Sequence, residues 1–286
     1  MTETIAGIEY SKPHVILLQQ TGIGTSELAA RTCYDSFGSS ESSSIQTLNE
    51  KFDELLTEPT AMNEVLENIN EVDHSDLLDK LAWTHFHYSI LEHANLTYLI
   101  KGTSRAVLQE HARHRIQAIS VRSTRYTMSS LINAFIAAKN GGGKDFFIDT
   151  VETFDMFVTA DRAYNRLEIG AMYDKLDFQS SKVEDFYAIA VAKSSLAFID
   201  EFKGQAQALY DALQSGKKKR NVGDAFKHII TDNVKVDMVV TFNLRSLKNY
   251  LTLRDSGAAY FQIRWLAQEM IKVTPQKYLD LIIKKK

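Results

Sequence analysis

The sequence predicts an α+β fold rich in helix. Two segments alternate apolar and polar residues with period two: Leu96-Tyr98-Ile100, and Val234-Val236-Met238-Val240-Phe242. Most of the remaining chain is patterned at helical spacing. Strands and helices do not alternate as they do in βαβ units, and no internal repeat of roughly 20 to 50 residues is visible.

Taken in order, His14 to Leu18 reads as a buried first strand. Gly22 and Gly24 mark a turn, and Ser26 is placed to cap a helix running to about Tyr34. The Ser-rich stretch 36–44 predicts a loop. Helical patterning covers 45–56, 60–69 and 75–83. After the strand at 95–101, Gly102 is expected to end it and Ser104 to cap a helix carrying Ala106, Val107, Leu108, His111 and the Arg113-His114-Arg115 run. Gly141-Gly142-Gly143 predicts a surface loop within 139–144, followed by helices over 150–170 and about 181–214, with Gly216 as a stop. Asn243 is a cap for a helix carrying Leu244, Leu247 and Leu251. Two more helices are expected, over 258–272 and after Pro275. Residues 1–286 are expected to form one domain, with 139–220 as a helical, insertion-like region.

Composition narrows the function. The chain has 286 residues, 44% hydrophobic and 24% charged, which suffices for a sizeable core. No apolar run approaches the roughly 18 residues of a membrane span. Met1 to Tyr10 carries Glu3 and Glu9 and no basic-then-apolar signal pattern, so a cytoplasmic location is expected. Cys33 is the single cysteine, which excludes an internal disulfide and a Cys-based zinc site. A net charge of −3 argues against a general nucleic-acid surface. With prolines only at Pro13, Pro59 and Pro275, long helices are permitted.

The densest chemistry lies at Arg113-His114-Arg115, followed seven residues later by Ser123 and then by Arg125 and Tyr126. Guanidinium forks match phosphates and carboxylates two bonds at a time, so the cluster suggests a small anionic ligand. Consecutive helical residues diverge by about 100°, so all three can serve one ligand only where the helix ends. If 123–125 is extended, Ser123 and Arg125 share a face. Arg245 and Asn249 share the wet face of the helix after Asn243. A third set, His85, His87, Ser89, Glu92 and His93, resembles a metal site but lacks a convincing fourth ligand. Gly22-Ile23-Gly24-Thr25 resembles part of a phosphate loop without its Lys-Ser/Thr. Lys217–Arg220 and Lys284–Lys286 are expected to be solvated charge.

Together, RHRIQAISVRS continuing into TRY, HYSILEH at 87–93, and NLRSLKNYLTLRDS at 243–256 resemble the flavin-dependent thymidylate synthase family. The resemblance covers about 14–35, 80–130 and 220–272. It implies a central, mostly antiparallel sheet flanked by helices, and a homotetramer with shared active sites. It also implies FAD-dependent methylation of dUMP to dTMP, with 5,10-methylenetetrahydrofolate as carbon donor and NADPH as reductant. No nucleic-acid or membrane partner and no metal are implied.

Carried over by position, the resemblance gives His87, Ser89, Arg113, His114, Arg115, Asn243, Arg245 and Asn249 to FAD. It gives Glu110, Arg113, Ser123, Thr124, Arg125, Lys227 and Arg254 to dUMP, with Arg254 beside the uracil and isoalloxazine. Arg254 and Ser123 are the expected catalytic pair, Ser123 as a positioning hydroxyl because Val121 offers it no base. Departures from the family pattern are Val121 for a frequent Glu, Ala258 for a frequent His, and Glu110 for a common Gln. Lys227 stands for a common Arg, and Cys33 for a Ser near the flavin. Two rival functions are a nucleic-acid module using the Arg-rich helix end, and a metal hydrolase built on His85, His87 and His93.

Overall fold

The structure, a computed structural model, describes residues 2–126, 171–177, 207–227 and 231–284, with scattered positions between 179 and 205. It opens with a hairpin that alternation does not reveal. β1 (Thr2–Ile5) and β2 (Ile8–Ser11) pair antiparallel, Ile5 opposite Ile8. Only Ala6 and Gly7 intervene, both at positive φ, 51° and 79°. That is the backbone of a type I′ turn, whose twist suits a two-residue hairpin loop.

β3 (His14–Gln20) contains the expected strand, but it is neither first nor buried. Ile16 and Leu18 are 55% and 52% exposed. The four-stranded sheet has the order β3-β4-β6-β5, so β3 is an edge. An apolar run alone does not separate an edge strand from a central one. β4 (Asn95–Ser104) and β6 (Lys235–Asn243) hold the centre, and β5 (Ala118–Val121) is the other edge. The period-two residues of both central strands are buried: Leu96, Tyr98 and Ile100, then Val236, Met238, Val240 and Phe242. Thr97 shares a hydroxyl hydrogen bond with Thr241 at 2.9 Å, and Gly102 N–H donates to the Asp237 carboxylate at 2.9 Å. Partner numbers fall as strand numbers rise, so β4 and β6 run antiparallel. Gly102 does not end β4; it continues the strand at φ +76°, where a side chain would be strained.

Two of the three expected caps, Ser104 and Asn243, hold, and Ser75, expected only as the start of a helix, is a further cap. Ser75 accepts from Leu78 N–H ahead of α5 (Asp76–Trp83), and Ser104 accepts from Val107 N–H ahead of α6 (Arg105–His111). Asn243 accepts from Ser246 N–H at 2.8 Å ahead of α8 (Leu244–Arg254). Ser26 is an exception. It lies inside α1 (Gly24–Tyr34), buried and with its hydroxyl unpartnered, while Ile23 occupies the cap position. The two glycines there have a packing reason. A Cβ on Gly22 or Gly24 would fall 2.1 Å from the carbonyl oxygen of Asn70 or Ile69, at the end of α4 (Pro59–Asn70).

The expected 45–56 helix is broken. α2 (Ser43–Glu50) stops at Lys51, and α3 (Phe52–Leu55) follows. The Ser-rich stretch is more than loop: Phe37–Ser39 makes a 3₁₀ turn, and the buried Ser40 donates to Glu27 at 2.7 Å. Glu27 also accepts from Arg31 Nε at 3.2 Å inside α1. Breaking one side of such a buried pair costs about 3–5 kcal/mol.

α7 spans Lys219–Phe226, α9 Phe261–Val273 and α10 Gln276–Ile282. Gly216 at φ +84° and the Lys217 N–H to Ala212 O bond of 3.1 Å close the preceding helix as expected. The described positions within 185–193 and 205–214 are helical. The expected loop at 139–144 and helix at 150–170 lie outside the described residues.

Backbone contacts divide the chain into two compact units. One comprises Met1–His14, Ile100–Arg113 and Ser120–Met238; the other comprises Val15–Leu99, His114–Ile119 and Val239–Lys286. In the first, the Tyr10 hydroxyl donates to the Ala188 carbonyl. In the second, Tyr98 bonds Thr274 through their hydroxyls at 2.8 Å, and Tyr278 donates to the Thr21 carbonyl at 2.8 Å. Lys248 Nζ stands 4.0 Å from the Trp83 ring centre and donates to the Ile282 carbonyl, tying α8 to α5 and α10. Among the described residues, no helix is long and apolar enough to cross a membrane.

Candidate active site

α6 ends at His111, short of the Arg-His-Arg run it was expected to carry, so Arg113-His114-Arg115 lies just past the helix end, where side chains are released from the 100° divergence. Arg113 and Arg115 are exposed, whereas His114 is half-buried. In the second unit, the His114 ring meets Tyr250 edge-on at 4.7 Å, and its Nε2 accepts from Arg254 Nε at 3.0 Å. Tyr250 and Arg254 are one turn apart on α8, so one helix face presents both to the imidazole. An accepting Nε2 requires a neutral ring with its proton on Nδ1. Burial, and then the Arg254 cation, push the His114 pKa below the ordinary 6.5.

The same unit holds most of the residues expected at FAD. His87 and Ser89 are exposed at the start of the 3₁₀ segment Tyr88–His93, which packs against α8. Arg245 Nη1 donates to Glu92 at 2.5 Å, and the Arg245 side chain stays 54% exposed. That single contact leaves four of the five guanidinium N–H groups available. Asn249 is exposed on the adjoining turn, as the spacing predicts. Asn243 commits its Oδ1 to capping α8, which leaves its NH₂ to donate elsewhere.

The first unit holds Glu110, Arg113, Ser123, Thr124, Arg125 and Lys227. β5 ends at Val121, and a helical turn begins at Thr124. Ser123 and Arg125 therefore do not share an extended face, contrary to expectation. Arg125 Nε and Nη2 both donate to Asp224 Oδ2, at 3.1 and 2.7 Å. Lys227 Nζ is 2.6 Å from Asp224 Oδ1, an ion pair without an aligned hydrogen bond. Lys227 and then Arg125 hold the Asp224 carboxyl below the usual carboxylate range. A Cβ on Gly223 would lie 2.6 Å from the Arg125 backbone, so glycine is what lets α7 touch this turn. Glu110 and Ser123 are half-buried and Thr124 is buried.

Asp224 escaped the sequence reading. Its spacing of three from Lys227 was visible, whereas its partner Arg125 is 99 residues away. Among the described residues no three His, Cys, Asp or Glu side chains gather as a metal site, and the His85 and His87 rings are 6.0 Å apart. Cys33 is exposed near the end of α1.

Residues 17–278 match the family profile described as thymidylate synthase complementing protein. The chain belongs to that family. All three motif segments fall within the span matched to the thymidylate synthase complementing family. A flavin-dependent thymidylate synthase of Campylobacter jejuni is 29% identical over 204 residues, 71% of this chain and 76% of its own length. That of Wolinella succinogenes is 26% identical over 266 residues, 92% of this chain and 94% of the relative. A crystal structure of the Helicobacter pylori enzyme complexed with FAD and dUMP superposes with a TM-score of 0.55 at 25% identity, covering 94% of this chain and 98% of that one. A second structure of that enzyme, at 24% identity and the same TM-score of 0.55, supports the fold.

Proposed function

We propose that this chain is a flavin-dependent thymidylate synthase. It methylates dUMP to dTMP with FAD as cofactor, 5,10-methylenetetrahydrofolate as carbon donor and NADPH as reductant. The observation that carries the proposal is the ordered trio of motifs inside a family match over 17–278. In the net reaction, the C5 hydrogen of the pyrimidine is replaced by a methyl group. Its carbon comes from the folate and its added hydride originates in NADPH, so the folate leaves as tetrahydrofolate.

The donor chemistry of the second unit fits FAD. Arg245 keeps four open N–H groups, Asn243 keeps its NH₂, and Asn249, His87, Ser89 and Arg115 are exposed. Such a set suits a diphosphate and the amide edge of a flavin ring. When bound, FAD supplies the redox chemistry that no side chain here provides. Arg254 supplies a fixed cation for negative charge developing on the pyrimidine, and His114 keeps that cation oriented. Arg125 and Lys227 bind the nucleotide phosphate, with Arg113, Glu110, Ser123 and Thr124 positioning the rest of dUMP. Ser123 acts as a hydrogen-bonding hydroxyl.

A homotetramer with active sites shared between subunits, working in the cytoplasm, completes the proposal, with 139–220 as an insertion in one catalytic domain. Ile16 and Leu18, exposed on an edge strand, support a partner surface. The test is flavin binding. Purified protein should carry FAD or take it up near one per chain, and bleach with NADPH. Protein that cannot be reconstituted with flavin would refute the proposal.

A further inference from the structure

Resting on the assignment of Arg125 and Lys227 to the nucleotide phosphate, we infer that Asp224 is a positioning residue that aims both cations at it. Each Asp224 oxygen holds one cation. Oδ2 takes the Nε and Nη2 N–H groups of Arg125, and Oδ1 takes the ammonium of Lys227. This orientation leaves the outer edge of the guanidinium, both Nη1 hydrogens and one on Nη2, for a ligand. Lys227, held by an ion pair without an aligned hydrogen bond, keeps its N–H donors for a ligand.

Lysine at 227 gives the arrangement its reason. An ammonium on a flexible stem carries no directional fork, so it needs an external anchor to present a fixed charge. Asp224 lies one helical turn before it and supplies that anchor. Gly223 adds a second constraint, because the helix can approach the Arg125 backbone only without a Cβ there. The trio keeps a net charge of +1, so a phosphate dianion still meets a cationic site.

Two effects of Asp224 oppose each other. Its charge repels an incoming phosphate, but its side chain is 35% exposed, where water screens the repulsion. Ordering two rotamer-rich side chains before binding is worth about tenfold in affinity, and this effect prevails.

The experiment measures steady-state kinetics of the flavin-loaded enzyme with dUMP varied. Asp224→Asn and Asp224→Ala should raise the KM for dUMP about tenfold. kcat at saturating dUMP should stay within about twofold, and flavin content should be unchanged. Asp224→Glu should restore KM to within about threefold, since it can hold both cations. A purely structural role would lower kcat and flavin content together, and that result would overturn the inference. So would a KM equal to or below wild type in both the Asn and Ala variants, because Asp224 would then be only a competitor of phosphate. Equilibrium dialysis of labelled dUMP with Arg125→Ala and Lys227→Ala separates the two levels. Loss of binding there sustains the phosphate assignment whatever Asp224 does; unchanged binding removes the assignment and this inference with it.

Discussion

At the scale of single residues, the pairing of Arg254 with His114 is the contact on which the proposed chemistry bears most directly. A guanidinium hydrogen-bonded to a half-buried ring would need no reorganisation to meet the charge that the proposed reaction develops beside it. Arg254→Ala should lower kcat by about 10²–10³-fold with the melting transition little changed; wild-type kinetics would remove its assigned role. His114 adds a pH dependence. Its Nε2 accepts only while the ring is neutral, and its folded pKa lies below the ordinary 6.5. The stability it contributes is therefore fully present above pH 6.5 and is lost as pH falls through the lowered folded value. The acid limb of kcat should sit below pH 6.5 and should be displaced in His114→Ala. An identical limb in that variant would show that another group titrates. The Arg-His-Arg cluster was legible because its density is local. The bond from Arg254 spans 140 residues, and nothing in either segment encodes it.

At the scale of elements, the sequence spoke most clearly where one residue type has one physical use. Ser75, Ser104 and Asn243 cap helices because their oxygens replace missing acceptors for the first N–H groups. Ser26 misled because the glycines before it mark a contact between helices rather than a turn outside the helix. Ala6-Gly7 was missed because Ala does not advertise a positive φ. The contact at Gly22 gives a clear test. A Cβ there would overlap the Asn70 carbonyl at 2.1 Å, and the backbone on the far side cannot step aside as a side chain would. Gly22→Ala should cost about 1–3 kcal/mol, read as a fall in the melting temperature. A variant as stable as wild type would show that α1 and α4 are not locked by this approach.

At the scale of the whole molecule, the α+β class followed from two alternating strands in a chain otherwise patterned for helix. Both strands became the centre of the sheet. Their alternation survives in the sequence because each has one buried face. β3 was misjudged for the converse reason. Ile16 and Leu18 carry the apolar pattern of a core strand, yet both stand exposed at the sheet edge among the described residues. The family was legible because its motifs fall in three short, ordered segments within residues 17–278. The most direct test is release of tritium from dUMP labelled at C5 by the flavin-loaded enzyme. Release accompanied by dTMP, and dependent on both methylenetetrahydrofolate and NADPH, is the expected result; flavin-loaded protein that forms no dTMP with every substrate present would contradict the account.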